Sequence, residues 1–326
     1  MKHILVTGGA GFIGAYVVRE LINKGYKVVI VDTLRDVGGI SYVHPKAEFL
    51  NMDICDLNLF DKLRDYTFEA VYHLAAQSAG EPSYDNPKFD ALTNSYGTLL
   101  IAKFCKDNNI PKLIYTSTVA VYGNTKEGSL NENSPIVPDS IYGVSKYAGE
   151  LYVRQTLRNS NTNYTIFRVF NTYGPGENLA FSKKGMVSIY ISYLWKKEPI
   201  LVKGSLDRYR DFTFIDDTVR AILLSQDSNI SNGKTYNLSS GIKTTVKELL
   251  DKIFIAFGEK ISYPVKEIQG TPGDSFGFHA DISKLNEELS WYPATSLEKG
   301  LKYYADWVKC IPSVEGLSSS HPFKID

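Results

Sequence analysis

Cysteine is scarce in this chain. Cys55, Cys105 and Cys310 are the only three in 326 residues, far apart and without a CxxC spacing. That excludes a disulfide scaffold and a thiolate metal cluster, and it fits a reduced, cytoplasmic protein. The five histidines (His3, His44, His73, His279 and His321) also lack ligand spacing, so no metal is expected. Neither charge sign is in excess, since 36 Lys and Arg balance 36 Asp and Glu. General attraction to nucleic acid or an anionic membrane is therefore excluded. No apolar run approaches the roughly 18 residues of a spanning helix. The chain enters a strand pattern at residue 3 with no long apolar leader, so no secretory signal is expected. Internal repeats and low-complexity linkers are also lacking, and the serine run at 318–320 reads as a surface tail.

What is present is an alternation of apolar runs. Strands are expected at 3–7, 27–31, 47–50, 69–74, 112–117 and 164–169. Helices are expected at 12–24, 57–65, 88–108 and 142–158. Such alternation implies right-handed βαβ crossovers, hence an α/β fold with a Rossmann-type doubly wound parallel sheet. Ligands of such sheets lie outside the carboxyl ends of the strands. The pattern changes after residue 172, where 171–176 forms a turn cluster. A first domain is thus expected over 1–172, with 208–240 returning to it, and a smaller α/β substrate-binding domain over 173–326. The strand-like run 234–238 supports the return.

The first expected strand runs into Thr7-Gly8-Gly9-Ala10-Gly11-Phe12-Ile13-Gly14 and then an amphipathic run. Strand, glycine turn and helix together form a pyrophosphate cradle. The glycines allow a tight turn and close backbone approach, and the helix N-terminus offers free amides and a positive dipole end. A glycine pattern alone is also compatible with a purely structural turn. Here Asp32 follows Gly14 by eighteen residues at the end of Val28-Val29-Ile30-Val31. An acid there accepts hydrogen bonds from an adenosine ribose and repels a 2′-phosphate, so the spacing points to NAD.

Tyr142 and Lys146 lie four apart, one turn of helix from each other. A free phenol titrates near 10, and making it a base at neutral pH requires roughly 4 kcal/mol of differential stabilisation of the phenolate. A neighbouring ammonium, a helix N-terminus and an oxidised nicotinamide all act in that direction, which makes Tyr142 a candidate general base. A surface Tyr/Lys pair would have the same spacing. Ser117 and Thr118 end the 112–117 strand, where a hydroxyl can either bind a substrate oxygen or merely cap the strand.

These segments together resemble the extended short-chain dehydrogenase/reductases, in their nucleotide-sugar epimerase/dehydratase group. The likeness rests on the glycine turn, Asp53-Ile54, His73-Leu74-Ala75-Ala76, Asn94, Ser117-Thr118 before Val121-Tyr122-Gly123, and Tyr142 with Lys146. Arg168 to Pro175, Arg210 to Asp216 and Pro272-Gly273-Asp274 complete it. The resemblance implies NAD as cofactor, with Gly8, Gly11, Phe12, Ile13 and Gly14 on the pyrophosphate and Asp32 on the ribose. It places Asp53 and Ile54 beside the adenine and Leu74, Ala75 and Ala76 along the dinucleotide, and it counts Asn94, supporting the site from the long helix, among the cofactor-binding residues. Lys146 would bind the nicotinamide ribose and tune Tyr142. Thr118, Asn171, Val187, Arg210 and Asp274 would meet a nucleotide-diphosphate sugar. From composition alone, Arg210 between Asp207 and Asp211 reads as a solvated ion pair. A homodimer is also implied, through helices at 88–108 and 142–158, with Phe89, Leu92, Leu99 and Phe104 apolar at usable spacings, though the sheet could claim those four instead.

The family's common step is oxidation at C4 of the sugar. Its 4,6-dehydratases carry an acid just after the catalytic threonine. Here Val119 and Ala120 stand there, and neither can move a proton. A 4-epimerase using NAD is therefore the expected activity. A 4-dehydrogenase or 4-keto reductase is the alternative, and a dehydratase or a non-catalytic NAD sensor ranks below both. Two departures, Thr271 for the Arg common before Pro-Gly-Asp and Met186 for a common Asn, leave the nucleotide and the sugar open.

Overall fold

The computed structural model describes residues 3–35, 42–124, 128–179, 184–270 and 275–311. Its centre is a seven-stranded sheet built from β1 (His3–Thr7), β2 (Lys27–Asp32), β3 (Glu48–Asn51), β4 (Phe68–His73), β5 (Lys112–Thr118), β6 (Asn163–Val169) and β7 (Lys234–Leu238). The order across the sheet is β3-β2-β1-β4-β5-β6-β7, and every neighbouring pair is parallel. Strand order reverses between β1 and β4, which opens a crevice at their carboxyl ends.

The strands read as unbroken apolar runs because both faces are covered. Ile4 and Val6 pack into one core with Ile30, Tyr72, Ile114 and Phe167. Leu5, between them, points the other way into a second core with Val29, Val31, Val71 and Leu113. The helix Phe12–Asn23 covers the first face with Val17, Val18 and Leu21. Helices Thr98–Asp107 and Ile141–Leu157 cover the second with Ile101, Phe104, Val153 and Leu157.

The expected strands are found within a residue or two of their ends. The expected 88–108 helix is not one α-helix. Pro87–Ala91 begins it, capped by the Asn86 side chain on the Phe89 amide at 3.1 Å, and Leu92–Gly97 then widens to a π-helical turn before Thr98–Asp107. A π-helical turn has no residue signature of its own, so the run reads as one helix in the sequence. Residues 171–173, expected in a turn, pair in parallel with Phe212–Phe214. Of the apolar residues expected at a dimer contact, Phe104 belongs to the core and Leu92 is exposed. The serine run at 318–320 lies outside the described residues.

The Ile141–Leu157 helix is tied to the sheet by a buried ion pair. Arg168 on β6 donates from Nε and Nη2 to the two oxygens of Glu150, each at 2.9 Å. Arg154 adds a third bond to Glu150 at 2.9 Å. Removing Arg168 leaves Glu150 in a dry site with only the half-exposed Arg154. Arg168→Leu is expected to cost about 3–5 kcal/mol in urea unfolding at neutral pH, and a loss under about 1 kcal/mol would show that the pair holds nothing together.

Candidate active site

The carboxyl ends of the central strands open into a cleft of about 1210 Å³. Its floor begins at the glycine turn. Gly8 has φ +73°, and a Cβ there would stand 2.5 Å from the Ala75 amide nitrogen. A Cβ on Gly14 would stand 2.0 Å from the Gly8 carbonyl oxygen. Helix and turn therefore meet backbone to backbone. Gly11 is the N-cap and supplies no side-chain cap, and Ala15 makes the first intrahelical bond, to the Gly11 carbonyl at 2.9 Å. The amides before Ala15 have no intrahelical acceptor and face the cleft end. A pyrophosphate fits this cradle, since it would provide the missing cap.

Beside the turn, Asp32 accepts from the Ala10 amide at 3.1 Å and the Leu34 amide at 2.9 Å, which fixes its carboxylate at the cleft wall. Asp53, Ile54, Leu74, Ala75 and Ala76 line the same end. Asn94 does not. It is 0% exposed and absent from the cleft wall, so the expected contact with the dinucleotide is corrected to a bracing role. Its amide donates to Gln77 O and Ser145 Oγ and accepts from Gln77 N, all within 3.0 Å. The 74–79 loop is thereby pinned to the Ile141–Leu157 helix.

Ser140 caps that helix through the Gly143 amide at 3.1 Å and sets Tyr142 in its first turn. Gly143 permits the approach, since a Cβ there would stand 2.5 Å from Ala120 O. Tyr142, Lys146 and Thr118 meet on one wall of the cleft. Thr118 accepts from the Ala120 amide at 3.2 Å, so its own hydroxyl proton is available to donate. The neighbouring Ser117 hydroxyl is buried in the same wall without a hydrogen-bond partner. Val119 and Ala120 also line the wall.

Lys146 is 2% exposed, with Nζ 4.4 Å from the centre of the Tyr115 ring. Burial pulls its ammonium down to about 7, against the pull of Asp90 and Glu150. Burial likewise pushes the Tyr142 phenol up to about 12, Thr118 lowering it and Asp90 raising it. Lys146 therefore does not by itself bring Tyr142 to neutral pH, and the sequence argument asked for an ammonium, a helix N-terminus and an oxidised nicotinamide together. Desolvation is the larger effect, and it is invisible in the sequence. His73 behind the pair is held down to about 3 by burial and stays neutral, its Nδ1 2.7 Å from Thr7 Oγ1 and its Nε2 2.9 Å from Thr98 Oγ1.

The far end of the cleft is cationic. Arg210 is 4% exposed and donates to the carbonyls of Tyr209, Ser275 and Phe276 at 2.7, 2.9 and 3.2 Å. Its guanidinium lies 4.7 Å from the centre of the Phe278 ring. The solvated ion pair suggested by composition is thus replaced by a buried cation held among carbonyls. Asn171 donates to the Asp211 carbonyl at 3.0 Å, and both it and Val187 line the cleft. Asp274 and Thr271 lie outside the described residues. Sequence spacing missed Lys184, Lys203 and Arg208, which line this end. Lys184 reaches Ser78 at 2.5 Å and Lys203 reaches Glu81 at 2.7 Å, both across the mouth.

Residues 5–304 match the family described as GDP-mannose 4,6 dehydratase. The chain belongs to this family. Its relatives act in more than one way. A UDP-glucose 4-epimerase of Mycolicibacterium smegmatis is 31% identical over 306 residues, 91% of this chain and 95% of its own. A dTDP-glucose 4,6-dehydratase of Streptomyces niveus is 27% identical over 318 residues, covering 94% of this chain and 93% of its own. The crystal structure of UDP-glucose 4-epimerase from Thermotoga maritima with UDP-glucose superposes with a TM-score of 0.88 at 32% identity, covering 94% of this chain and 98% of that one.

Glu177, missed by the motifs, also lines the cleft. Burial pushes its carboxyl from 4.5 up to about 7. The folded state therefore holds this proton more tightly than the unfolded chain. The stabilisation is complete below about pH 4.5 and is lost as the pH rises to about 7. Glu177→Gln is expected to gain about 1–3 kcal/mol on the wild type between about pH 5 and pH 8, measured by denaturant unfolding. A difference that stays constant with pH would exclude Glu177 as the titrating group.

Proposed function

We propose that this protein is an NAD-dependent nucleotide-sugar 4-epimerase acting on a UDP-sugar. The observation that carries the reading is the stretch of cleft wall beside Tyr142. Thr118 stands where a sugar hydroxyl can be gripped, and Val119 and Ala120 follow it in the cleft with no acid or base. Elimination of water has no proton carrier there, whereas inversion at C4 needs none. The names of the epimerase relatives support UDP over the other nucleotides.

In this reading the glycine turn and the start of the Phe12–Asn23 helix hold the cofactor pyrophosphate. Asp32 holds the adenosine ribose, and Asp53, Ile54, Leu74, Ala75 and Ala76 form the adenine and dinucleotide walls. Asn171, Val187 and Arg210 receive the sugar nucleotide, with Asp274 assigned there by family likeness. When bound, NAD supplies the acceptor for the C4 hydride and a positive charge close to the phenol. Thr118 orients the 4-hydroxyl. Tyr142 takes the proton of the 4-hydroxyl as the hydride leaves C4, and after the keto sugar turns over it would return that proton to the C4 oxygen as the same hydride is delivered to the opposite face of C4. Lys146 holds the nicotinamide ribose and stabilises the ionised phenol. Two copies would pair through the exposed Leu92, Tyr96, Val144, Leu151 and Tyr152 of the helices flanking the sheet.

Tyr142→Phe is expected to lower turnover about 10²–10⁴-fold while leaving NAD binding intact, read by fluorescence titration. Near-full activity in that variant would sink the mechanism. Incubation with a panel of UDP-, GDP-, CDP- and dTDP-sugars separates the activities. C4 inversion without net NADH is the expected result, and NADH that accumulates with a 4-keto product would replace the epimerase by a dehydrogenase.

A further inference from the structure

Asp90 is a buried carboxylate for which neither motif nor mechanism has a use. It lies on the Pro87–Ala91 helix, facing the Ile141–Leu157 helix, and is 0% exposed. Its Oδ2 accepts from Asn94 Nδ2 at 3.1 Å, and the same Nδ2 bonds Ser145 Oγ at 3.0 Å, the residue before Lys146. Its Oδ1 is buried without a hydrogen-bond partner. A carboxylate costs several kcal/mol to bury, so one kept in a dry site next to a cleft calls for a compensating charge.

Lys146, buried on the facing helix next to Ser145, is the cation placed to supply it. The titratable groups around it are Tyr142 and Glu150 on its own helix, His73 on β4, Tyr115 on β5 and Asp90 on the facing helix. His73 is neutral and Tyr115 is a deeply buried phenol, which leaves two carboxylates to balance the ammonium. Glu150 is already bonded by Arg168 and Arg154, two cations to one acid. Asp90 has no Arg or Lys ion pair among the described residues. Of the two acids it alone has charge to spare.

Resting on the reading of Tyr142 and Lys146 as the catalytic pair, we propose that Asp90 is a positioning residue, the counter-charge that keeps Lys146 an ammonium within the dry wall of the cleft. Its field acts on both members of the pair in one direction. It favours the charged lysine and disfavours the charged phenol, so losing it moves both titrations to lower pH. The bracing by Asn94 fixes the distance over which that field acts.

The test uses the full chain carrying Asp90→Asn. In cofactor-free protein labelled with ¹³C at lysine Cε, the Lys146 signal, assigned with Lys146→Arg, is followed against pH by NMR. Its midpoint is expected to fall by about one pH unit, and the bell of kcat against pH to move acidward by a similar amount. Asp90→Glu, which keeps the charge, is expected to restore the midpoint most of the way. Where the amide variant does not fold, Asp90→Ser removes the same charge with less bulk and carries the same expectation. A merely structural role would lower the rate at every pH and leave both profiles where they are. An unmoved Lys146 midpoint in a folded charge-free variant overturns the proposal. If Tyr142→Phe abolishes turnover while that midpoint is unmoved, only the role of Asp90 falls. If Tyr142→Phe stays active, the catalytic reading of the pair falls instead.

Discussion

The buried bridge from Arg168 to Glu150 is the constraint on which the site depends. Tyr142, Lys146, Glu150 and Arg154 share one helix face because they are spaced by four. Fixing Glu150 to β6 therefore fixes the rotation of the whole face. Arg168 also donates to the Tyr122 hydroxyl at 2.9 Å, and Tyr122 donates to Asn237 on β7 at 2.7 Å. One guanidinium thus aligns the helix, the turn after Thr118 and the last strand. Such a pair adds little net stability over apolar packing, but it permits one rotation and rejects others.

Two kinds of electrostatic support coexist in the cleft. At the cofactor end the protein offers backbone dipoles: the amides ahead of Ala15 and the amides that hold Asp32. At the other end it offers full cations, with Arg210 caged by carbonyls. The carbonyls of Tyr209, Ser275 and Phe276 fix the position of its guanidinium at the cleft. Between the two ends stands a nearly dry region around Tyr142 and Lys146, where charge is costly and each ionised group answers strongly to its neighbours.

Much of this was legible in the sequence, for physical reasons. Val28 to Val31 reads as a strand because both of its faces are buried. The glycine turn is legible because only glycine tolerates contacts as close as that of Gly14 with the Gly8 carbonyl. Tyr142 and Lys146 announce themselves through spacing and Thr118 through the family likeness, and the structure brings all three to one cleft. What escaped was whatever depends on burial or on isolated residues. Asp90, Glu177, Lys184 and Arg208 belong to no spacing pattern. The direction of the Tyr142 titration followed from desolvation, which no local pattern reports. Whether Phe104 faced the sheet or another chain stayed open in the sequence, because an apolar residue on a helix looks the same in both cases, and the structure gives it to the sheet.

The cage around Arg210 ties the cleft to the order in which the chain is made. Asp211, next to it, accepts from the amides of Ser240, Gly241 and Ala280. Two of the carbonyls that hold Arg210 come from Ser275 and Phe276. The glycine cradle, by contrast, needs little beyond the first 75 or so residues, a stretch that emerges early in synthesis at the usual pace of roughly 5–20 residues per second. The pyrophosphate cradle is thus supplied by the earliest part of the chain, Tyr142 and Lys146 come later, and the carbonyls around Arg210 are supplied only when nearly the whole chain has been released.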